Sequence, residues 1–285
     1  MMRLLIAFTC MLSLQLKAHT QKMKLQKAID LKLVTVTAMS LGGYQGFCIK
    51  MALKNCSKDS LIVTIEAGRR LNSKEDKNQD ILITKEEIIA LQKAENKLFV
   101  VKGYCCQSSN SSPALGAIYD VNKLADPQLV SLANYLNTHQ FDTNTEQQAV
   151  WAISDRKSTA NITSAITNDS LVLPLKQFVA NLKGEELPWY SIITKTVLFS
   201  SGNMQTYPLY LKGKLNYSNT EENYVSLYVL TENGLPVCEI KSQWLMPCTN
   251  KDYELNLPIK GLAKGKYTVE LKTANKRLAK RIFEI

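Results

Sequence analysis

Between Phe47 and Cys56 apolar and polar side chains alternate for most of ten residues, the period of a strand with one buried face, and Ser57-Lys58-Asp59 supplies the turn that follows. The same reading places an edge strand near Leu31–Thr37, a β-branched strand over Leu61–Gly68, and further strands at Ile81–Thr84 and Leu98–Lys102. Gly42-Gly43-Tyr44-Gln45-Gly46 is a turn-rich break, and the polar run from Asn72 to Asp80 is a loop. Lys85–Lys93 is rich in helix formers, yet every neighbour is a strand and local propensity is a weak guide, so a strand is expected there as well. The run Gln107–Pro113 reads as a connecting loop with nothing to bury. At Asp126-Pro127 the period changes: an acidic cap and a first-turn proline precede Leu129, Leu132, Ala133 and Leu136 at helical spacing. A second helix begins after Asp142 or Asn144, turns Ala149, Val150 and Ile153 inward, and ends at Ser154-Asp155-Arg156. Residues 156–190 carry one apolar run, Leu171–Leu175, and no assigned element.

From about Ile192 the chain becomes a run of short strands: Lys195–Phe199, Tyr207–Asn216, Tyr224–Thr231, Val237–Lys241, Tyr253–Pro258, Lys266–Thr273 and Arg277–Ile285. Seven strands in so short a stretch, with turns at Glu232-Asn233-Gly234 and Ala274-Asn275-Lys276, predict an immunoglobulin-like β-sandwich over 192–285. The expected fold class is therefore mainly β: a β-rich domain over 24–190 with a helical pair near 124–154, followed by the sandwich.

The first residues change the compartment. Met1-Met2-Arg3, the apolar run Leu4–Leu14 and the small residue Ala18 have the layout of a secretory signal peptide over 1–18. Its apolar core is shorter than the ~20 residues that span a bilayer, so a mature chain without a transmembrane segment, exported to the periplasm, the cell surface or the medium, is expected. The formal charge is +10, or +8 once Arg3 and Lys17 leave with the leader. The cations are spread among acidic residues, which describes a solvated basic surface, and no nucleic-acid-binding motif accompanies them.

Without Cys10 six cysteines remain, Cys48, Cys56, Cys105, Cys106, Cys238 and Cys248, an even number that in an exported chain favours disulfides. No metal-ligand spacing accompanies them, and His19 and His139 are the only histidines, so no metal site and no cofactor are expected. If Cys48–Cys56 is one extended strand its ends lie ~26 Å apart at about 3.3 Å per residue, too far to bond each other. Their even spacing puts both on one face, whereas Cys105 and Cys106 point to opposite faces. One cross-strand disulfide to that strand is then easy and a second is harder unless a bulge intervenes, which opens the way to a leftover thiol. Cys238 and Cys248 bracket Trp244 and Met246 in an expected hairpin, where a disulfide closing a loop of about ten residues contributes roughly 2–3 kcal/mol.

Two resemblances follow from quoted residues. Val225-Ser226-Leu227-Tyr228-Val229, Asn233-Gly234 with Val237, Leu262-Ala263-Lys264-Gly265-Lys266-Tyr267-Thr268-Val269-Glu270-Leu271, and Lys280-Arg281-Ile282 resemble the C-terminal immunoglobulin-like modules of Bacteroidetes-type exported proteins, including type IX secretion sorting domains. The Pro-Asn-Pro-like start of those sorting domains is absent. Tyr104-Cys105 together with Glu146-Gln147-Gln148-Ala149-Val150-Trp151 resembles the paired signatures of thioester domains in bacterial surface adhesins, with Glu146 in place of the family's threonine. That resemblance implies Cys105 as thiol and Gln147 as amide of an internal thioester, with Tyr104, Ala149 and Trp151 supporting them. Three functions are thus expected from the sequence. The first is a non-catalytic surface or envelope binding protein for a protein or glycan ligand. The second is a covalent adhesin acylating partner amines through Cys105–Gln147. The third is a thiol hydrolase pairing Cys105 or Cys106 with His139.

Overall fold

The computed structural model of the protein describes residues 20–164 and 169–285; the leader expected at 1–18 lies outside them, as does His19. The N-terminal half runs β1 (Gln21–Lys24), α1 (Leu25–Asp30), β2 (Val34–Ser40), β3 (Gln45–Asn55), β4 (Leu61–Ile65), β5 (Arg69–Ser73), β6 (Ile81–Ile83), β7 (Glu87–Leu91), β8 (Asn96–Cys105) and β9 (Ile118–Leu124). Six of these strands close a barrel in the order β2-β3-β8-β6-β5-β9, paired antiparallel throughout. The long strand β8 pairs with β3 along most of its length and with β6 only at Gly103–Cys105. A small sheet, β1-β4-β7, lies apart in hydrogen bonding but shares the barrel's core: Leu61, Val63, Ile65 and Leu91 are buried in one cluster with Met51, Leu53, Leu71 and Val101.

Three helices follow, α2 (Pro127–Thr138), α3 (Thr143–Ser154) and α4 (Asp169–Lys183), with a single 3-10 turn at Thr159–Asn161 between the last two. Asp126 caps α2 by accepting from the backbone N–H of Gln128 and Leu129, and Asp142 caps α3 by accepting from that of Thr145, as their sequence positions predict. A second core joins Leu132, Leu136, Val150, Leu175 and Val179 of these helices to Leu82, Tyr104 and Cys106 on the outside of the barrel.

The remaining strands are β10 (Tyr190–Leu198), β11 (Met204–Asn219), β12 (Asn223–Thr231), β13 (Pro236–Leu245), β14 (Cys248–Pro258), β15 (Lys266–Lys272) and β16 (Arg277–Glu284). They form two antiparallel sheets, β10-β11-β14 and β13-β12-β15-β16. Leu211, Leu215, Leu255 and Leu257 of the first sheet share one core with Val225, Leu227, Val229, Val269 and Leu271 of the second. The chain is mainly β, as the alternation of its side chains predicts.

Two local expectations fail for physical reasons, and two further stretches are more structured than the sequence indicates. The helix α4 occupies the stretch left unassigned: Val172, Leu175 and Val179 make its buried stripe, and Pro174 sits inside it, losing one backbone hydrogen bond. The hairpin expected between Cys238 and Cys248 is absent. Instead β13 runs extended from Pro236 to Leu245 and the chain crosses to the other sheet, so that Cys238 lies beside Val229 and Cys248 beside Asn219. In β3 a register shift between Gly46 and Ile49 changes the phase of the strand, so Cys48 is buried while Cys56, beyond its end, is exposed; the two do not share a face. Finally the 107–113 loop, a connection as expected, also carries contacts: the Ser112 N–H donates to the Gly202 carbonyl at 2.8 Å and Ser111 Oγ donates to Asn203 Oδ1 at 3.0 Å, tying the barrel half to the C-terminal sheets.

Candidate functional site

The barrel strand β8 ends in Gly103-Tyr104-Cys105, and Cys106 follows directly. Alternation along the strand sends Cys105 into the barrel core, beside Cys48, Ile81 and Tyr119, and sends Tyr104 and Cys106 outward into the helical core. Gly103 is required here by close approach, since a Cβ at this position would lie 2.4 Å from Ile81 Cγ2 on the neighbouring strand.

At its N-terminal end β3 runs out, and the main chain of Cys105 faces a gap in the ladder. Gln147 fills it. The Cys105 N–H donates to the Tyr44 carbonyl at 3.0 Å and to Gln147 Oε1 at 3.1 Å, while Gln147 Nε2 donates to the Cys105 carbonyl at 2.8 Å. The carboxamide thus docks on the Cys105 peptide as a backbone amide of a missing strand residue would. Both residues are fully buried. The glutamine can reach that depth because α3 is enclosed on all sides: every residue from Thr145 to Ile153 is buried. Trp151, one turn beyond Gln147, stacks on Tyr44 with ring centroids 5.9 Å apart, so the residue whose carbonyl receives the Cys105 N–H is itself held by this helix.

Glu146 stands where the thioester-domain pattern has threonine. Its carboxylate is fully buried and pairs with Lys102 Nζ at 3.0 Å, and Lys102 lies 5.6 Å from the centroid of the Tyr104 ring. A buried carboxylate is stable only with such a partner. Neither Lys102 nor Tyr44 stands out in the sequence, although Lys102, Tyr104 and Cys106 share one face by period two and a glutamate within a run of buried residues implies a cation nearby.

Burial sets the state of the sulfurs. Desolvation pushes the Cys48 thiol up to about 12, and that of Cys106 likewise to about 12, against the opposing pull of Arg70. The Cys105 thiol is raised well above its ordinary value by burial first, then by Cys48, Cys106 and Asp80. These sulfurs are thiols at neutral pH, the reverse of a hydrolase nucleophile, whose pKa is depressed. The proposed partner for such a nucleophile is elsewhere: His139 is exposed at the C-terminal end of α2, its Nδ1 near the Tyr135 carbonyl and Thr138 Oγ1, with its ring stacked on Tyr135.

All six cysteines of the described residues are free, including Cys48, Cys56, Cys106, Cys238 and Cys248, for which disulfides were expected. Cys48 and Cys105 do share the barrel interior, and Cys48 Sγ lies 3.5 Å from the Gly103 carbonyl oxygen. The polypeptide beyond Cys106 is pinned by Asp80, whose carboxylate accepts from Arg70 Nη2 at 2.7 Å and Gln107 Nε2 at 2.9 Å, and whose N–H donates to Gln107 Oε1 at 2.7 Å. Among the described residues no group of His, Cys, Asp and Glu is arranged to hold a metal ion. No helix among them is long and apolar enough to cross a membrane.

Of the residues singled out from sequence, Tyr104, Cys105, Gln147, Ala149 and Trp151 come together around the end of β8. Cys56, Cys238, Cys248 and His139 do not. No protein-family model matches the chain, and a search of curated proteins finds no match.

Proposed function

We propose that this is an exported surface or envelope protein that attaches covalently to its partner, through a thioester formed between the Cys105 thiol and the Gln147 side chain. The observation that carries the proposal is the docking of the Gln147 carboxamide on the N–H and C=O of Cys105 itself, across 42 residues of sequence. Attack of Cys105 Sγ on Gln147 Cδ forms the C–S bond and breaks the Cδ–Nε2 bond. The thiol proton leaves with the nitrogen as ammonia. A primary amine of the partner then attacks the same carbon, forming an amide and returning its proton to the sulfur. The pair is fully buried, which keeps water from a thioester, so capture of a partner amine requires α3 to part from the end of β8. The sandwich half, read as an immunoglobulin-like module, serves as stalk or second contact, and the leader-like start of the chain supports export.

A second reading is a non-catalytic binding module for a protein or glycan ligand, in which Gln147 only completes the end of the β8 ladder. It is favoured by the direction of the Cys105 side chain, which faces the barrel core, where burial raises the pKa of its thiol. Methylamine separates the two. Under the covalent reading it is incorporated at Gln147, identified by peptide mass spectrometry, and the label disappears in a Cys105→Ala variant. Absence of label in the wild-type protein under conditions where it remains folded favours the second reading.

A further inference from the structure

Where the helices meet the sandwich there is a cavity of about 650 Å³. Its inner wall is α3, and two side chains there are buried with no partner for a donor: Gln148 Nε2 and Trp151 Nε1. Gln148 is 3% exposed and Trp151 2%. Three residues apart on one helix they are neighbours, and both line the cavity. A buried donor without an acceptor is unfavourable, and two on one helix at one cavity invite an acceptor.

The charges at the rim are of one kind in excess. Arg156, Lys157, Lys183 and Lys264 line the cavity against Glu185 and Glu284, and Lys183 and Glu185 are already paired with each other at 2.9 Å. Arg156 holds a left-handed backbone conformation, φ 54°, just past the end of α3, and Lys183 Nζ donates to the Lys157 carbonyl at 2.7 Å, which ties the main chain carrying two of the cations to α4. Tyr190, Ile192 and Pro208 close the opposite side with largely apolar surface. Two neutral donors on the inner wall, cations at the mouth and an apolar wall suit a small ligand that presents oxygen acceptors and negative charge.

We propose that this cavity binds the oxyanion group of a small molecule or of a terminal unit of a larger one, a carboxylate or a phosphate, with Gln148 and Trp151 donating to its oxygens and Arg156, Lys157 and Lys264 neutralising it. The site does not depend on the thioester, since it uses neither Cys105 nor Gln147. The probes are D-glucuronate, inorganic phosphate and neutral D-glucose, titrated into nitrogen-15-labelled protein while the indole N–H signals are followed, with that of Trp151 identified as the one lost in Trp151→Phe. The expected result is a saturable shift of the Trp151 signal with glucuronate or with phosphate, the responding probe naming the oxyanion, and with glucose none. The same shift is expected in Cys105→Ala, and affinity at least tenfold weaker in Arg156→Ala/Lys264→Ala, whose two changes lie at the exposed rim. No saturable shift with either anion, or an equal response to glucose, overturns the proposal.

Discussion

Replacing Gln147 by alanine in a Cys105→Ala parent isolates the structural side of the site, because no thioester can form there and the main chain at position 105 keeps its hydrogen-bonding groups. The substitution removes both bonds to residue 105. The N–H retains the Tyr44 carbonyl as acceptor, at 3.0 Å, so its loss is partial, about 0.5–1 kcal/mol. The carbonyl has Gln147 Nε2 as its donor, at 2.8 Å, and becomes a buried acceptor without one, which costs about 1–3 kcal/mol. The fully buried side chain also leaves a void between α3 and the barrel. Together these give a destabilisation of about 2–4 kcal/mol, and for a unit of this size each kcal/mol moves the midpoint by about 2–4 °C, so calorimetry is expected to show the barrel transition roughly 5–15 °C lower. A midpoint within about 1 °C of the parent would refute the reasoning, because it would mean that the carboxamide is not the partner of the strand end.

Thiol accessibility and acid stability give two further tests. With an alkylating reagent at neutral pH, exposed Cys56 reacts first, whereas Cys48, Cys105 and Cys106, buried and with raised pKa, react only on unfolding; rapid native labelling of any of those three contradicts the packing, and peptide mapping of the labelled sites decides. At Asp142 burial pulls the carboxyl upward, but hydrogen bonds from Ser164 and Thr145 outweigh it and hold the pKa below the usual value. A group with a depressed folded pKa stabilises fully above its unfolded value, about 3.9, and loses that contribution as pH falls through the folded one. Acid unfolding followed by circular dichroism should therefore begin in that range, and Asp142→Asn, which keeps a capping side chain but cannot titrate, is expected to weaken the pH dependence below about pH 4.

Much of the strand architecture is written in side-chain alternation, because a half-buried strand must repeat every two residues. The two capped helices are equally legible, since Asp126 and Asp142 act within three residues of themselves. Closure of the barrel is not, as it depends on pairings distant in sequence such as β2 with β9 and β5 with β9. Pro174 hides α4, and the bulge after Gly46 inverts Cys48 without altering the apolar run that predicts the strand. At the site, Cys105 and Gln147 are linked in the sequence by their resemblance to a motif alone. Helical periodicity could not have selected Gln147, for on a helix buried all round no face is distinguished. Trp151 is legible only as support for that motif, and nothing marks Gln148 or the Trp151 indole N–H as a donor without an acceptor; an unpartnered donor is a property of three-dimensional surroundings, not of residue type.

The central claim is chemical, and the intact mass of the untreated protein tests it most directly. With a thioester between Cys105 and Gln147 the native protein is about 17 Da lighter than its sequence requires, the mass of the ammonia released, and the deficit vanishes in Gln147→Ala measured against its own calculated mass. A native mass equal to that calculated for the same chain with every cysteine a free thiol, in protein that is folded and protected from hydrolysis, contradicts the claim.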